Sequence, residues 1–389
     1  MSTHIQPVRS RDRIASIDIL RGFALFGIIL VNVLGFNASF FDFGGFYNHL
    51  PDAFQQHFYS IYISLTADKF IFLFSFLYGY GIYMQFRRFQ DKKQPFVNFF
   101  SRRMVILAFF GFCHILFLWA GDILFLYAIA GIIIMAFRRL PTPLLIVLAI
   151  LFYFFIAIWL TLDVWLTLPD AMSSTCTECL ERAKVVYTNG NYFECMLLRL
   201  QEYLSFRNIN AFYYLPKIIG ISLAGFVASK FGLHKQINQK PLRWTLIFFM
   251  VAFIGVVVYF NYESIVDFES PFANAVYMTG YETMNVFIAF GYLLFILIIS
   301  SFRPIAAFLK PIALTGRASL SNYLMQSVIM SIIFYGWGFG FFGQTNVTQV
   351  VFFAICIYVF QVIVNVIWFR FKDQGPMEKL WRKWSYRIG

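Results

Sequence analysis

Ten stretches of roughly twenty mostly apolar residues, separated by short polar loops, leave few folds open to this 389-residue chain. A helix needs about 20 apolar residues to cross the hydrocarbon core of a bilayer. The runs lie near 14–36, 56–86, 103–119, 122–138, 142–166, 209–230, 242–261, 272–301, 312–336 and 347–370. The second and eighth are overlong, so their outer ends are expected to be interfacial or tilted. Composition points the same way. Hydrophobic residues make up 60% of the chain and charged ones 13%, and the mean hydropathy is +0.69. A soluble protein of this length needs far more polar surface. The expected fold class is therefore all-α, a polytopic membrane helical bundle forming a single integral membrane domain over 1–389. The 52 Phe and 22 Tyr suit a lipid-facing exterior with interfacial aromatics.

The loops carry the orientation. Arg9, Arg11 and Arg13 precede the first run, and Arg87, Arg88, Lys92, Lys93, Arg102 and Arg103 separate the second and third. Arg138 and Arg139 follow the fourth, Lys230, Lys235, Lys240 and Arg243 the sixth, and Arg303 and Lys310 the eighth. The tail adds Arg370, Lys372, Lys379, Arg382, Lys383 and Arg387, whereas the intervening loops are acidic or uncharged. Lys and Arg thus alternate loop by loop, which places both termini in the cytoplasm. The same placement explains the net charge of +12 without nucleic acid as a partner. The basic start runs straight into the first apolar helix with no small-residue cleavage site, so that helix is expected to remain as an anchor.

One extracytoplasmic insertion, 163–207, interrupts the pattern and holds Cys176, Cys179 and Cys195. The loop contains no His to complete a zinc site, and a disulfide with one thiol left over is the preferred reading. Cys113 and Cys356 sit in apolar runs and read as small core residues. Asn37-Ala-Ser39 and Asn346-Val-Thr348 fit a glycosylation sequon, a triplet frequent by chance.

Ionisable side chains inside apolar runs are costly and call for a functional hypothesis. His114 and Asp122 flank a short polar corner, Trp119-Ala120-Gly121, between the third and fourth runs. A helical hairpin there brings an imidazole and a carboxylate to one membrane face. The imidazole can take and return a proton near neutral pH, and a carboxylate beside it would fix its tautomer. The competing account is a helix–helix hydrogen bond. Arg103 shares a helical face with His114, eleven residues away at the inner end.

Asp18, Arg21, Leu25 and Asn32 fall on one face of the first helix. Asp18 and Arg21 either form an interfacial ion pair, or Arg21 faces an anionic group with Asn32 along the same channel. Asp68 and Lys69 lie within the second run, where Lys69 needs an anion, a wet cavity or Asp68 itself. Glu282 and Asn285 share a face of the eighth run. Ser319, Asn322 and Gln326 form a polar stripe near Arg317 in the ninth, which reads as a cavity wall or as interhelical hydrogen bonding. No GxxxxGK[ST], HExxH or CxxCH motif occurs, so the expected chemistry is proton transfer and positioning without a metal.

Several of these pieces resemble the YeiB-like family of bacterial multipass membrane proteins. They are Ser16-Ile-Asp-Ile-Leu-Arg-Gly-Phe-Ala-Leu-Phe-Gly27 with Asn32, and Lys69-Phe70 with Leu73-Phe-Ser-Phe-Leu-Tyr-Gly-Tyr-Gly81. Gly111-Phe-Cys-His-Ile-Leu116 with Gly121-Asp-Ile-Leu124, Gly316-Arg-Ala-Ser-Leu-Ser-Asn-Tyr-Leu-Met-Gln326, and Gly375-Pro-Met-Glu-Lys-Leu-Trp-Arg382 complete the set, in family order. The insertion and Asp68 lie outside the pattern. More distantly, the chain resembles transmembrane acyltransferases such as heparan glucosaminide acetyltransferase and the acyltransferase-3 group. That likeness implies acyl-CoA or acetyl-CoA as cytoplasmic co-substrate, with Arg21, Lys69, Arg103 and Arg317 at its anionic end. It implies His114 and Asp122 at the acceptor end, with a small-molecule, glycan or lipid acceptor, in a bacterial cytoplasmic membrane. A proton-coupled transporter of a small anionic solute and a non-catalytic lipid-binding protein are the alternatives, and a homodimer is compatible with any of them.

Overall fold

A computed structural model describes residues 14–42, 50, 52–155, 159, 177–261 and 271–386. All regular structure among the described residues is helical. Each of the ten apolar runs has a helical counterpart. Seven helical stretches are long and apolar enough to cross a membrane, and Leu124–Phe137, Thr142–Tyr153 and Ser319–Phe334 are shorter apolar helices.

The order along the chain begins with α1 (Ala15–Asn37), α2 (Ala53–Thr66), α3 (Lys69–Asp91), α4 (Phe96–Phe117), α5 (Leu124–Phe137) and α6 (Thr142–Tyr153). The insertion supplies α7 (Thr177–Asn189) and α8 (Tyr192–Ser205). Short turns Arg207–Ile209 and Asn210–Tyr214 lead into α9 (Leu215–Lys230). Then come α10 (Leu233–Gln239), α11 (Pro241–Asn261), α12 (Pro271–Ile299), α13 (Arg303–Phe308), α14 (Lys310–Arg317), α15 (Ser319–Phe334), α16 (Val347–Phe371) and α17 (Pro376–Tyr386).

Two of the expected spans are broken, and both breaks position the site. The run 56–86 is not one helix. Asp68 adopts the left-handed region at φ 63°, which ends α2 and restarts the chain as α3. An Asp tolerates that conformation better than a branched residue does. The run 312–336 divides at Ala318, so Arg317 closes α14 rather than opening the following helix. Glu378, reaching from α17, caps the first backbone amides of α15 with bonds of 2.7 Å from Leu320 N and 3.2 Å from Ser321 N. The amides at a helix start lack intrahelical partners, so a carboxylate there is favourable.

The centre is built on α1, α3 and α9, with apolar side chains outward toward lipid on α11 and α16, such as Phe249, Phe253, Phe352 and Phe360. α3 and α9 approach closely because Gly79 faces the Ser222 carbonyl; a Cβ at Gly79 would sit 1.7 Å from that oxygen. Small residues allow such backbone contact in membrane bundles.

The insertion helices α7 and α8 lie over the ends of α1 and α4. Glu202 of α8 accepts from Ser39 Oγ at 2.5 Å, Phe40 N at 3.1 Å and Tyr187 OH at 2.6 Å. Tyr192 donates to the Phe117 carbonyl at 2.8 Å. Cys179 is disulfide-bonded and Cys195 is a buried free thiol, while Cys176 lies outside the described residues. Both sequon asparagines take part in local structure. Asn37 is buried and bonded to Thr345 and Gly343, and Asn346 caps α16.

Candidate functional site

The hairpin of α4 and α5 brings its two ionisable residues into contact. His114 Nδ1 lies 3.0 Å from Asp122 Oδ1, with both side chains fully buried. The pair is close but out of line for a linear hydrogen bond, so it acts through charge and proximity more than through alignment. The other carboxylate oxygen, Oδ2, accepts from Phe125 N at 2.7 Å, which fixes Asp122 at the start of α5. Gly111 makes this approach feasible, since a Cβ there would stand 2.4 Å from Phe125 N and 2.9 Å from Asp122 Oδ2.

On its other side, His114 Nε2 lies 2.8 Å from Ser327 Oγ of α15. With the ring proton on Nδ1, facing the carboxylate, Nε2 is open to accept from the Ser327 hydroxyl. Carboxylate, imidazole and hydroxyl thus stand in the order used by hydrolase triads. Ser327 is the one member absent from the sequence expectation. Tyr323, one turn earlier on α15, has its ring 5.0 Å from the imidazole, and its buried hydroxyl makes no aligned hydrogen bond. Beside it lies a cavity of about 50 Å3 lined by Asn32, Phe70, Ile71, Gly121, Ile123 and Tyr323, among others. That volume has room for a few waters at most. Asn32 therefore reaches this cavity, and the tip of the hairpin is pinned to α1 by Trp119 Nε1 donating to the Gly35 carbonyl at 3.1 Å.

The break at Asp68 forms a second buried polar centre. Lys217 Nζ sits 3.2 Å from Asp68 Oδ2 and 2.8 Å from Glu282 Oε1. Tyr213 lies 3.1 Å from Asp68 Oδ2 and 2.9 Å from Glu282 Oε1, Tyr281 lies 3.2 Å from Asp68 Oδ2, and Tyr153 lies 2.8 Å from Glu282 Oε2. The π-turn at Asn210–Tyr214 carries Tyr213 into this group. Lys69 Nζ is fully buried without a hydrogen-bond acceptor, 5.8 Å from the Tyr281 ring centre. The Asn285 amide, near the Tyr281 hydroxyl, likewise makes no aligned hydrogen bond.

Lys69 therefore differs from its expected place. Phe70 and Ile71 share the small cavity with Ile28, Val31 and Asn32, so Lys69 is level with the half of α1 nearest the insertion. It keeps company with Asp68, Lys217 and Glu282 rather than with the arginines at the basic-loop end. Lys217, which stands in the apolar stretch Leu215-Pro-Lys-Ile-Ile219, carries the same signal of an ion in a membrane run as Lys69 does.

At the opposite end, Arg21 pairs with Asp18 at 3.1 Å and Arg103 stacks on Trp381 of α17 at 3.6 Å. Arg103 feels the charges of both Arg21 and Arg382, and Arg382 those of Glu378, Arg317 and Asp18. Arg317 itself covers the Phe369 ring at 4.6 Å and donates to the Asp373 carbonyl at 3.1 Å.

The polar stripe on α15 resolves into hydrogen bonds between helices rather than a cavity wall. Asn322 Nδ2 donates to the Thr315 carbonyl at 2.9 Å, and its Oδ1 accepts from Asn365 at 2.9 Å. Gln326 donates to Gln361 at 2.9 Å. Gln361 and Asn365, one turn apart on α16, are a polar pair visible in the sequence. Ser319 is half-buried at the first position of α15.

The insertion adds two further buried ionisable residues near the hairpin, Arg199 and Glu202. Arg199 is fully buried between the rings of Tyr192 and Tyr335, at 5.4 and 5.6 Å from their centres. Burial pushes the Glu202 carboxyl up to about 7, against the lowering pull of its hydrogen bonds from Ser39, Tyr187 and Phe40 and of Arg199.

Buried charges on a bundle of apolar helices define a polytopic all-α membrane protein whose polar groups face its interior. Residues 228–388 match the family described as a protein of unknown function, DUF418. The chain is 27% identical to the uncharacterized protein YxaH of Bacillus subtilis, covering 98% of this chain and 96% of the relative. It is 28% identical to an uncharacterized 39.9 kDa protein in the amylase 3' region of Bacillus acidopullulyticus, with the same coverage. The figure for the uncharacterized protein YeiB of Escherichia coli is 25%, over 97% of each chain. The DUF418 match thus covers residues 228–388, and the likeness to YxaH and YeiB runs over nearly the whole chain.

Proposed function

We propose that this protein is an acyltransferase of the bacterial cytoplasmic membrane, moving an acyl group from cytoplasmic acyl-CoA to an acceptor near the insertion. The observation that carries the reading is the buried His114, held between Asp122 at 3.0 Å and Ser327 at 2.8 Å. Nε2 is the working nitrogen. An acceptor hydroxyl or amine taking the place of the Ser327 hydroxyl gives its proton to the ring as it attacks the thioester carbonyl. The new acyl–oxygen or acyl–nitrogen bond replaces the carbon–sulfur bond, and the imidazolium returns the proton to the departing thiolate. Asp122 stabilises the charged ring in between. Arg21, Arg103 and Arg382 supply positive charge at the end where the CoA phosphates would enter.

The test is acyl-CoA binding and turnover by the purified full-length protein. Acetyl-CoA is expected to raise the melting temperature, and His114→Ala is expected to abolish turnover with the helical content unchanged. Absence of acyl-CoA binding by both thermal shift and native mass spectrometry defeats the reading.

A second reading is proton-coupled transport of a small anion, favoured by the Asp68–Lys217–Glu282 centre with its unpartnered Lys69. Buried carboxylates and lysines of this kind line ion pathways in carriers. It predicts saturable, pH-dependent uptake into liposomes that Lys69→Met removes, while acyl-CoA has no effect.

A further inference from the structure

A groove of about 630 Å3 opens at the basic-loop end between α13, α14 and the end of α16. Its lining is divided into two kinds of residue. Lys310, Arg317, Arg370 and Lys372 supply four cations against the single carboxylate of Asp373. Ala307, Phe308, Pro311, Leu314, Val366 and Phe369 supply an apolar floor, and no uncharged polar side chain is among the lining residues. Phe308 is 82% exposed at the margin and Phe371, just beyond, is 76% exposed.

We propose that this groove is a binding site for an anionic phospholipid, with its phosphodiester headgroup on the cations and the upper part of an acyl chain on the apolar floor. Lys310, Arg370 and Lys372 outnumber the Asp373 carboxylate, a net positive field that an entering anion relieves, and phosphate oxygens satisfy both Lys and Arg donors. The membrane face beside basic loops is where anionic lipid is met, and basic pockets between membrane helices hold such headgroups. The lining also discriminates against a nucleotide. A base is read by stacking and by matched donors and acceptors, yet the Phe369 ring is already covered by Arg317, and no Asn, Gln, Ser or Thr side chain lines the groove. What remains recognises phosphate and hydrocarbon.

The inference stands apart from acyl transfer, which uses the interior arginines and His114. It is tested by native mass spectrometry of the full chain in detergent, titrated with phosphatidylglycerol or phosphatidylcholine of equal chain length. Phosphatidylglycerol is expected to bind more tightly, and the triple variant Lys310→Gln, Arg370→Gln, Lys372→Gln to lose that preference. With roughly fivefold per juxtamembrane cation, the loss is on the order of a hundredfold. These side chains are exposed, and an unchanged melting temperature of the triple variant in lipid-free detergent separates loss of the site from loss of the fold. Equal binding of the two lipids, or a preference that survives in the triple variant, overturns the proposal. So does displacement of phosphatidylglycerol by CoA or inorganic phosphate at comparable concentration, which would assign the groove to a soluble phosphate ligand.

Discussion

Replacing Glu202 with Gln should free the docking of the insertion from pH. Glu202 is 2% exposed and holds α8 to Ser39, Phe40 and Tyr187. Its carboxyl titrates at about 7 when docked, against an ordinary value of 4.5. A raised folded-state pKa means that the docked form holds its proton more tightly than the open form. Its contribution is complete below about pH 4.5 and is lost as pH rises through 7. The whole difference amounts to about 3 kcal/mol, of which roughly 1 kcal/mol, near tenfold in the docking equilibrium, falls between pH 6 and 8. Gln mimics the protonated acid. Its carbonyl can accept from Ser39 and Phe40, and its amide can donate to the Tyr187 hydroxyl. Hydrogen exchange over α7 and α8, corrected for the intrinsic pH dependence of exchange, reads this directly. Protection in the native protein should drop about tenfold from pH 6 to pH 8, and the drop should vanish in Glu202→Gln. Flat protection in the native protein, or an undiminished drop in the variant, refutes the assignment of Glu202 as the titrating anchor.

Other expectations follow from the same packing. Gly111→Ala puts a Cβ against Phe125 N and should cost roughly 1–3 kcal/mol by overpacking; a melting temperature equal to the parent's would contradict the close approach of α4 and α5. Lys217→Met leaves Asp68 and Glu282 without their cation and should destabilise by about 3–5 kcal/mol. Adding Asp68→Asn, which leaves Glu282 to balance Lys69, should recover part of that loss in the same unfolding assay, and failure to recover would argue against a charge-based cause. Asn365→Leu removes the bond to Asn322 and should cost only about 0.6 kcal/mol, with acyl-CoA binding unchanged; a large loss of binding would return the α15 stripe to the functional site.

Periodicity and charge in the sequence determine the class, the number of apolar helices and the loops that share one face. These properties depend on the composition of each run against a bilayer of fixed thickness, and no long-range contact is needed to read them. The juxtaposition of His114 and Asp122 is equally local, because a six-residue connection from Leu118 to Ile123 between antiparallel helices leaves little freedom. Ser327, 213 residues from His114, was beyond such reasoning. So was the grouping of Lys69 with Lys217 and Glu282, because a helix face says what a residue can present but not which neighbour it meets. Tertiary packing decided those pairings. It turned Asn322 and Gln326 inward to Asn365 and Gln361, and folded the insertion over the hairpin. The break at Asp68 shows the limit most clearly. A hydrophobic run long enough for one helix is split by a single left-handed residue, and that split is sustained by Lys217, Tyr213 and Tyr281, which gather around its carboxylate from distant parts of the chain.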